Sequence, residues 1–146
     1  MKEISNRSAT FHFAIEQKFD AGMQLVGTEV KTLRKGQASF NDCHCLFMDN
    51  ELWIKNLHIP EYSFGNKNNH NPVRDRKLLL NKKELNKLLN KTKEKGFTII
   101  PLRIYFAESG YAKIEIALAK GKKSFDKRHS IKEKDAARQL QRDLNY

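Results

Sequence analysis

The chain has 146 residues, with 39% hydrophobic and 10% aromatic side chains, enough for one folded domain with its own core. Lys and Arg number 28 against 17 Asp and Glu, a net charge of +11, and mean hydropathy is −0.71. No apolar run reaches membrane-span length, Met1-Lys2-Glu3-Ile4 offers no signal-peptide stretch, and two cysteines cannot build a disulfide framework. The expectation is a soluble cytoplasmic protein with reduced thiols. The charge is one-sided. Residues 1–60 hold 7 basic and 7 acidic residues, whereas residues 61–146 hold 21 and 10 and so carry the entire excess. A one-sided basic excess on a folded domain points to a polyanion, with nucleic acid ahead of an anionic membrane surface. A merely solubilising surface is the plainer alternative.

The first strand is predicted over Thr10–Phe19, where Phe11, Phe13 and Ile15 alternate with His12, Ala14 and Glu16. Asp20 then suits a helix N-cap, and Met23, Val26, Val30 and Leu33 follow at helical spacing before Gly36. Cys43–Met48 and Leu52–Ile59 are two strands around an Asp49-Asn50 turn. Residues 61–76 form a long Asn-rich polar loop. Asn81 caps a helix with Glu84 at the third position, Leu85, Leu88 and Leu89 form its apolar stripe, and Gly96 ends it. Thr98–Phe106 and Ala112–Leu118 are two further strands around Ser109-Gly110. In the first, Leu102, Ile104 and Phe106 are expected on one face and Arg103 and Tyr105 on the other. Apolar content collapses after Ala119. Ser130-Ile131-Lys132-Glu133 has the pattern of a capping box, and Ala137, Leu140 and Leu144 form a stripe too thin to hold a helix alone in water. Strands interrupted by two helices without βαβ alternation predict a mainly β fold, a small antiparallel barrel. The domain is expected over residues 1–121. Residues 122–146 are expected to form a basic tail, disordered alone and helical when bound.

Catalytic motifs are missing: there is no Walker-type phosphate loop, no GxSxG and no HExxH. A small RNA-processing enzyme built on His70 or His129 beside basic residues is the weaker reading. Cys43-His44-Cys45, with His58 or His70 as a fourth ligand, suggests a metal. Zinc sites need wider spacing and a second pair, so the expectation is two small core thiols and no metal or cofactor. The stronger constellation is for RNA. Arg74, Arg76 and Lys77 emerge from the Asn-rich loop that also holds His70, and Lys113, Lys120, Lys122 and Lys123 cluster at the end of the last strand. Such side chains neutralise phosphates, hydrogen-bond bases and sugars, or stack. Arg74 and Arg76 are expected to be exposed, so that their removal would weaken RNA binding at little cost in stability.

These segments also form an ordered series: Asn6-Arg7, Phe19-Asp20-Ala21-Gly22, Gly27-Thr28-Glu29-Val30-Lys31, Asn69-His70, Arg74-Asp75-Arg76-Lys77-Leu78-Leu79-Leu80, Pro101-Leu102, Ala119-Lys120-Gly121-Lys122-Lys123, Asp126-Lys127-Arg128 and Ile131-Lys132-Glu133. In this order they resemble the small protein B family, which binds transfer-messenger RNA (tmRNA), along nearly the whole chain. The resemblance implies an oval antiparallel barrel related to the OB-fold, with helices beside it and a flexible C-terminal tail. It implies a monomeric, non-enzymatic factor of trans-translation that binds the tRNA-like domain of tmRNA and delivers it to stalled ribosomes. A generic OB-type ribosomal or assembly protein is the alternative, although such a protein needs no capped amphipathic tail. Family RNA contacts map onto Asn6, Arg7, Asp20, the loop through Asn69 and His70, Leu79, Lys113 and Lys120 to Lys123. Many relatives have Glu where this chain has Asp20, which keeps the carboxylate. The tail, through Asp126, Lys127, Arg128, His129, Ile131, Lys132 and Glu133, would enter the mRNA path and decoding centre of the small subunit.

Overall fold

A computed structural model describes residues 3–65 and 69–122. The elements in chain order are β1 (Ile4–Ser5), α1 (Ala9–His12), β2 (Phe13–Met23), α2 (Gly27–Arg34), β3 (His44–Met48), β4 (Glu51–Lys55), β5 (Arg76–Leu79), α3 (Lys82–Thr92), β6 (Phe97–Phe106) and β7 (Ala112–Gly121). All strand pairs are antiparallel. The sheet order is β1-β6-β3-β4-β5-β2-β7, and β6 also pairs with β7, which closes six strands into a ring with β1 on the outer side of β6. Closure satisfies the edges that an open sheet would leave unpaired.

Inside the ring, one cluster gathers Phe19 and Ala21 of β2, Leu33 of α2, Cys45, Leu52, Ile54, Leu78, Ile99 and Ile104, Ile114, Ile116 and Leu118 of β7, and Leu88 of α3. A second, smaller cluster lies on the other face of the β2–β7–β6 sheet. There Ala9 of α1 meets Ile100, Ala117 and Ala119, flanked by Phe13, Ile15 and Leu102. Two bulges divide the strands between these clusters. The β2–β7 register shifts between Ile15 and Gln17, and the β6–β7 register shifts between Pro101 and Arg103. An extra residue flips the side chains beyond it to the opposite face. Leu102 therefore packs in the second cluster while Ile104 packs in the first, against the expectation that they share a face.

Three further expectations are corrected. Asp20 is no helix cap: β2 runs through it to Met23, with Phe19, Ala21 and Met23 buried and Lys18 and Asp20 exposed. Helix α2 begins only at Gly27, where Glu29 at its third position accepts from Val26 N at 2.9 Å. The stretch from 61 to 76 is not all loop, because Arg76 opens β5, which pairs with β4 and β2. The last strand continues past Leu118 to Gly121, with Ala119 fully buried. Two predicted strands also differ in extent: Thr10, Phe11 and His12 lie in α1, so that β2 starts only at Phe13, and β4 ends at Lys55, short of Ile59. Two local signals hold. Asp49 and Asn50 turn at φ of 52° and 62°, the two left-handed positions that a tight hairpin turn requires, and β3 and β4 pair around them. Asn81 accepts from Glu84 N at 2.9 Å at the start of α3.

Candidate nucleic-acid interface

Cross-strand register lines up one row on the outer face of the ring. Leu79 of β5 faces Gly22 of β2, Gly22 faces Lys113 of β7, and Lys113 faces Tyr105 of β6. The adjacent row carries Asp20, Glu115 and Arg103. Asp20, Leu79 and Lys113, three residues separated by 93 positions in sequence, thus come together on one surface. Leu79 is 49% exposed. Gly22 beside it has no side chain to cover it.

The polar members of this surface are fixed by one another. Tyr105 Oη donates to Asp20 Oδ1 at 2.8 Å. The Arg103 guanidinium lies 4.3 Å from the centre of the Tyr105 ring and pairs with Glu3 at 2.8 Å and Glu115 at 3.5 Å. Burial, and then the Asp20 hydrogen bond and charge, push the Tyr105 hydroxyl up to about 12. Lys77, also outward on β5, pairs with Glu51 at 2.9 Å. Sequence reasoning missed Tyr105 and Arg103 as members of this surface. The visible signal was their shared parity on β6.

Asn6 and Arg7 lie elsewhere. Asn6 Nδ2 donates to Pro101 O at 2.8 Å, which ties the turn after β1 to β6, while Arg7 is exposed. Both line a groove of about 1090 Å³ with His12, Asn41, His44 and Asn56. Lys120 is exposed and sits over the Phe97 ring at 4.4 Å. Lys122 follows, its backbone N–H donating to His12 O at 2.9 Å. Lys123 and the tail residues Asp126, Lys127, Arg128, His129, Ile131, Lys132 and Glu133 lie outside the described residues.

The structure overturns the expected exposure of the basic loop. Arg76 has no exposed side-chain surface. Its Nε donates to Glu29, Nη1 to Leu57 O and Nη2 to Pro72 O. Arg74 Nη2 donates to the same Glu29 carboxylate at 2.5 Å. Glu29 is itself fully buried. The reason is packing: α2 lays Glu29 against the start of β5, and a buried carboxylate requires cations and donors around it. Burial pushes the Glu29 carboxyl upward, but the hydrogen bonds from Arg74 and Val26 and the charge and hydrogen bond of Arg76 outweigh it, so it ionises below the usual range. His70 is buried as well, with Nε2 donating to Ile59 O at 2.8 Å and Nδ1 2.8 Å from the Thr28 hydroxyl. Asn69 clamps Tyr62, accepting from its N at 3.1 Å and donating to its O at 2.8 Å. Asn69 and His70 therefore shape the loop, with His70 directed inward.

Among the described residues no group of three or more His, Cys, Asp or Glu is placed to hold a metal. Cys45 is buried and Cys43 packs on the same core. Burial raises both thiols, that of Cys43 to about 12. Among the described residues no helix is long and apolar enough to cross a membrane.

Known proteins are similar to this chain over most of its length. Residues 3–146 match the family model described as SmpB protein. An SsrA-binding protein of Cytophaga hutchinsonii is 54% identical, over 95% of this chain and 91% of that one. One of Phocaeicola vulgatus is 52% identical over 95% and 93%, and one of Fervidobacterium nodosum 49% identical over 97% and 95%. A solved structure described as "tmRNA-SmpB: a journey to the center of the bacterial ribosome" is 47% identical, with a TM-score of 0.70 over 84% of this chain and 85% of that chain. Matches of this length and identity lead to one assignment: the chain belongs to the SmpB protein family.

Proposed function

We propose that the chain binds tmRNA through its tRNA-like domain and delivers it to stalled ribosomes for trans-translation, acting as a binding factor in the cytoplasm without chemistry of its own. The observation that carries this reading is the shared outer face of Asp20, Leu79 and Lys113, which joins a carboxylate acceptor, an exposed apolar group and a cation. A phosphate-only surface needs just the cation. A carboxylate repels phosphate, so its place on such a face suits hydrogen-bond donors of bases or ribose hydroxyls. Asn6 and Arg7 at the groove, Lys120 near the end of the last strand and Lys122 and Lys123 after it complete the proposed RNA contacts. Lys77 is a peripheral contact once it leaves Glu51. Arg74, Arg76, Asn69 and His70 act from within, by holding the loop.

In this reading residues 1–121 are the RNA-binding body, and residues 122–146 are the tail that meets the ribosome through Asp126 to Glu133. The test is to sequence the RNA that copurifies with the full chain. Enrichment of tmRNA over ribosomal RNA and bulk tRNA is the expected result. Enrichment of ribosomal RNA alone would overturn the assignment in favour of a ribosomal or assembly protein. Binding should also fall steeply with salt, since the positive charge excess engages phosphates.

A further inference from the structure

Outside the Asp20–Leu79–Lys113 face, two aromatic rings and two lysines meet on the loop that follows Pro60. Phe64 is 79% exposed, the highest value among the large exposed hydrophobic side chains. Its ring packs edge-on against Tyr62 at 5.7 Å. Lys35 Nζ lies 4.7 Å from the Phe64 ring centre and 4.9 Å from that of Tyr62, and Lys31 Nζ lies 5.4 Å from Tyr62. A lone exposed phenylalanine means little. This one is held in a built arrangement. Thr28, Lys31 and Lys35 are spaced three and four apart along α2 and its C-cap, and so share one helix face. Thr28 contacts His70, which in turn holds Ile59 O. Asn69 grips both backbone polar groups of Tyr62. Gly65 closes the turn where any Cβ would collide with Asn69, at 2.4 Å from its Nδ2. Tyr62 is therefore fixed by Asn69, Phe64 packs on Tyr62, and the cations stand beside both rings while Phe64 stays exposed.

We propose that Phe64, backed by Tyr62 and flanked by Lys31 and Lys35, is a second RNA-binding site that stacks on an unpaired nucleobase while the lysines neutralise the adjoining phosphates. This site rests on the RNA-binding reading given above. An aromatic face with neighbouring cations is how proteins hold unpaired bases without reading their sequence. It also gives Asn69 and His70 a role that their inward placement allows: they position the platform.

The experiment uses the full-length chain and the tRNA-like part of tmRNA in titrations at several salt concentrations. Phe64→Ala should weaken binding about tenfold, the scale of one lost base stack. That factor should stay constant with salt, because stacking releases no counterions. Lys31→Ala with Lys35→Ala should instead flatten the salt dependence. Phe64→Trp should bind as the parent does, and RNA should quench the indole emission that this variant shows above that of Trp53 in the parent. Thermal melts of each variant should match the parent, since these side chains are exposed. The proposal fails if Phe64→Ala binds like the parent, or if the indole emission ignores bound RNA. It also fails if Phe64→Ala spares RNA affinity but weakens association with ribosomal protein, which would make the ring a protein contact. Failure of the parent chain to bind this RNA would instead strike the functional reading itself, and this site with it.

Discussion

Arg76 and Glu29 form an ion pair in which neither side chain has any exposed surface, joining β5 to α2 across 47 positions of sequence. Removing one member leaves the other charge buried and unpaired, a loss on the order of 3–5 kcal/mol. Arg76→Ala should therefore lower the melting temperature by roughly 10–20 °C for a domain of this size. Arg74→Ala should cost much less, because its side chain is 36% exposed and Glu29 keeps Arg76. Thermal melts of the two variants, side by side, check this. Equal and small losses would mean that the pair is not structural.

The same pair gives a signed pH dependence. The Glu29 carboxyl ionises below its ordinary value of 4.5, so the folded state holds its proton less tightly than the unfolded chain. Its contribution is fully present above pH 4.5 and is lost as pH falls through the folded-state value. The stability gap between the parent and Glu29→Gln should thus be constant at neutral pH and shrink in acid. Urea unfolding at a series of pH values measures the gap. A gap that widened in acid would reverse the assignment.

This pair also marks where the sequence stopped being informative. The β3–β4 hairpin was legible because Asp49 and Asn50 tolerate left-handed backbone, and α3 because Asn81 and Glu84 sit at capping distance. Strand β5 was not. Its four residues follow a polar loop, and Arg76 looked like one more solvated cation until α2 placed Glu29 against it. Asp20 misled for a related reason. After Phe19 the spacing of Met23, Val26 and Val30 fits a helical period, and only pairing with β5 and β7 carries the strand as far as Met23. Of the candidate RNA contacts, the resemblance supplied Asp20, Leu79 and Lys113 one by one. That they share a face with Tyr105 needed the cross-strand register of β5, β2, β7 and β6, which parity within one strand does not supply.

Tyr105 should matter to RNA binding through Asp20. Its hydroxyl fixes one carboxylate oxygen at 2.8 Å and leaves the other available. Tyr105→Phe should weaken tmRNA binding severalfold, and combining it with Asp20→Asn should add little further loss, as expected for two members of one unit. Ultraviolet titration gives an independent readout. The parent should show a tyrosine ionising near 12, and Asp20→Asn should lower that value only partly, since burial is the larger cause. Full additivity of the two losses would separate the residues.

The thiols should be inert. Burial holds the Cys43 thiol up at about 12 and raises Cys45 well above its usual value, so little thiolate exists at neutral pH. A disulfide-exchange reagent should label the folded chain slowly and the urea-unfolded chain at once. Cys45→Ala should cost on the order of 1–2 kcal/mol through lost packing. Rapid stoichiometric labelling, or one equivalent of tightly bound zinc, would contradict this assignment of both residues to the core.

The division between body and tail is tested by deleting residues 125–146. Among the described residues, all seven strands and all three helices lie between Ile4 and Gly121, and the two apolar clusters draw on nothing beyond Ala119. The shortened chain should therefore melt within a few degrees of the parent. The outer face of Asp20, Leu79, Lys113 and Tyr105, the groove at Asn6 and Arg7, and the Phe64 platform all remain, so tmRNA affinity should fall only modestly, by the share that the lost basic residues supply. Tagging of stalled peptides should fail. The deleted stretch carries Ser130-Ile131-Lys132-Glu133 and the thin stripe of Ala137, Leu140 and Leu144, a pattern suited to ordering on a partner. Replacing Asp126, Lys127 and Arg128 together by Ala should reproduce much of that failure with the chain at full length, which separates specific contacts from mere length. Binding and tagging are measured on the same preparations. Tagging at the parent rate by the shortened chain would make residues 125–146 dispensable, and the ribosome would then have to be met by the body alone.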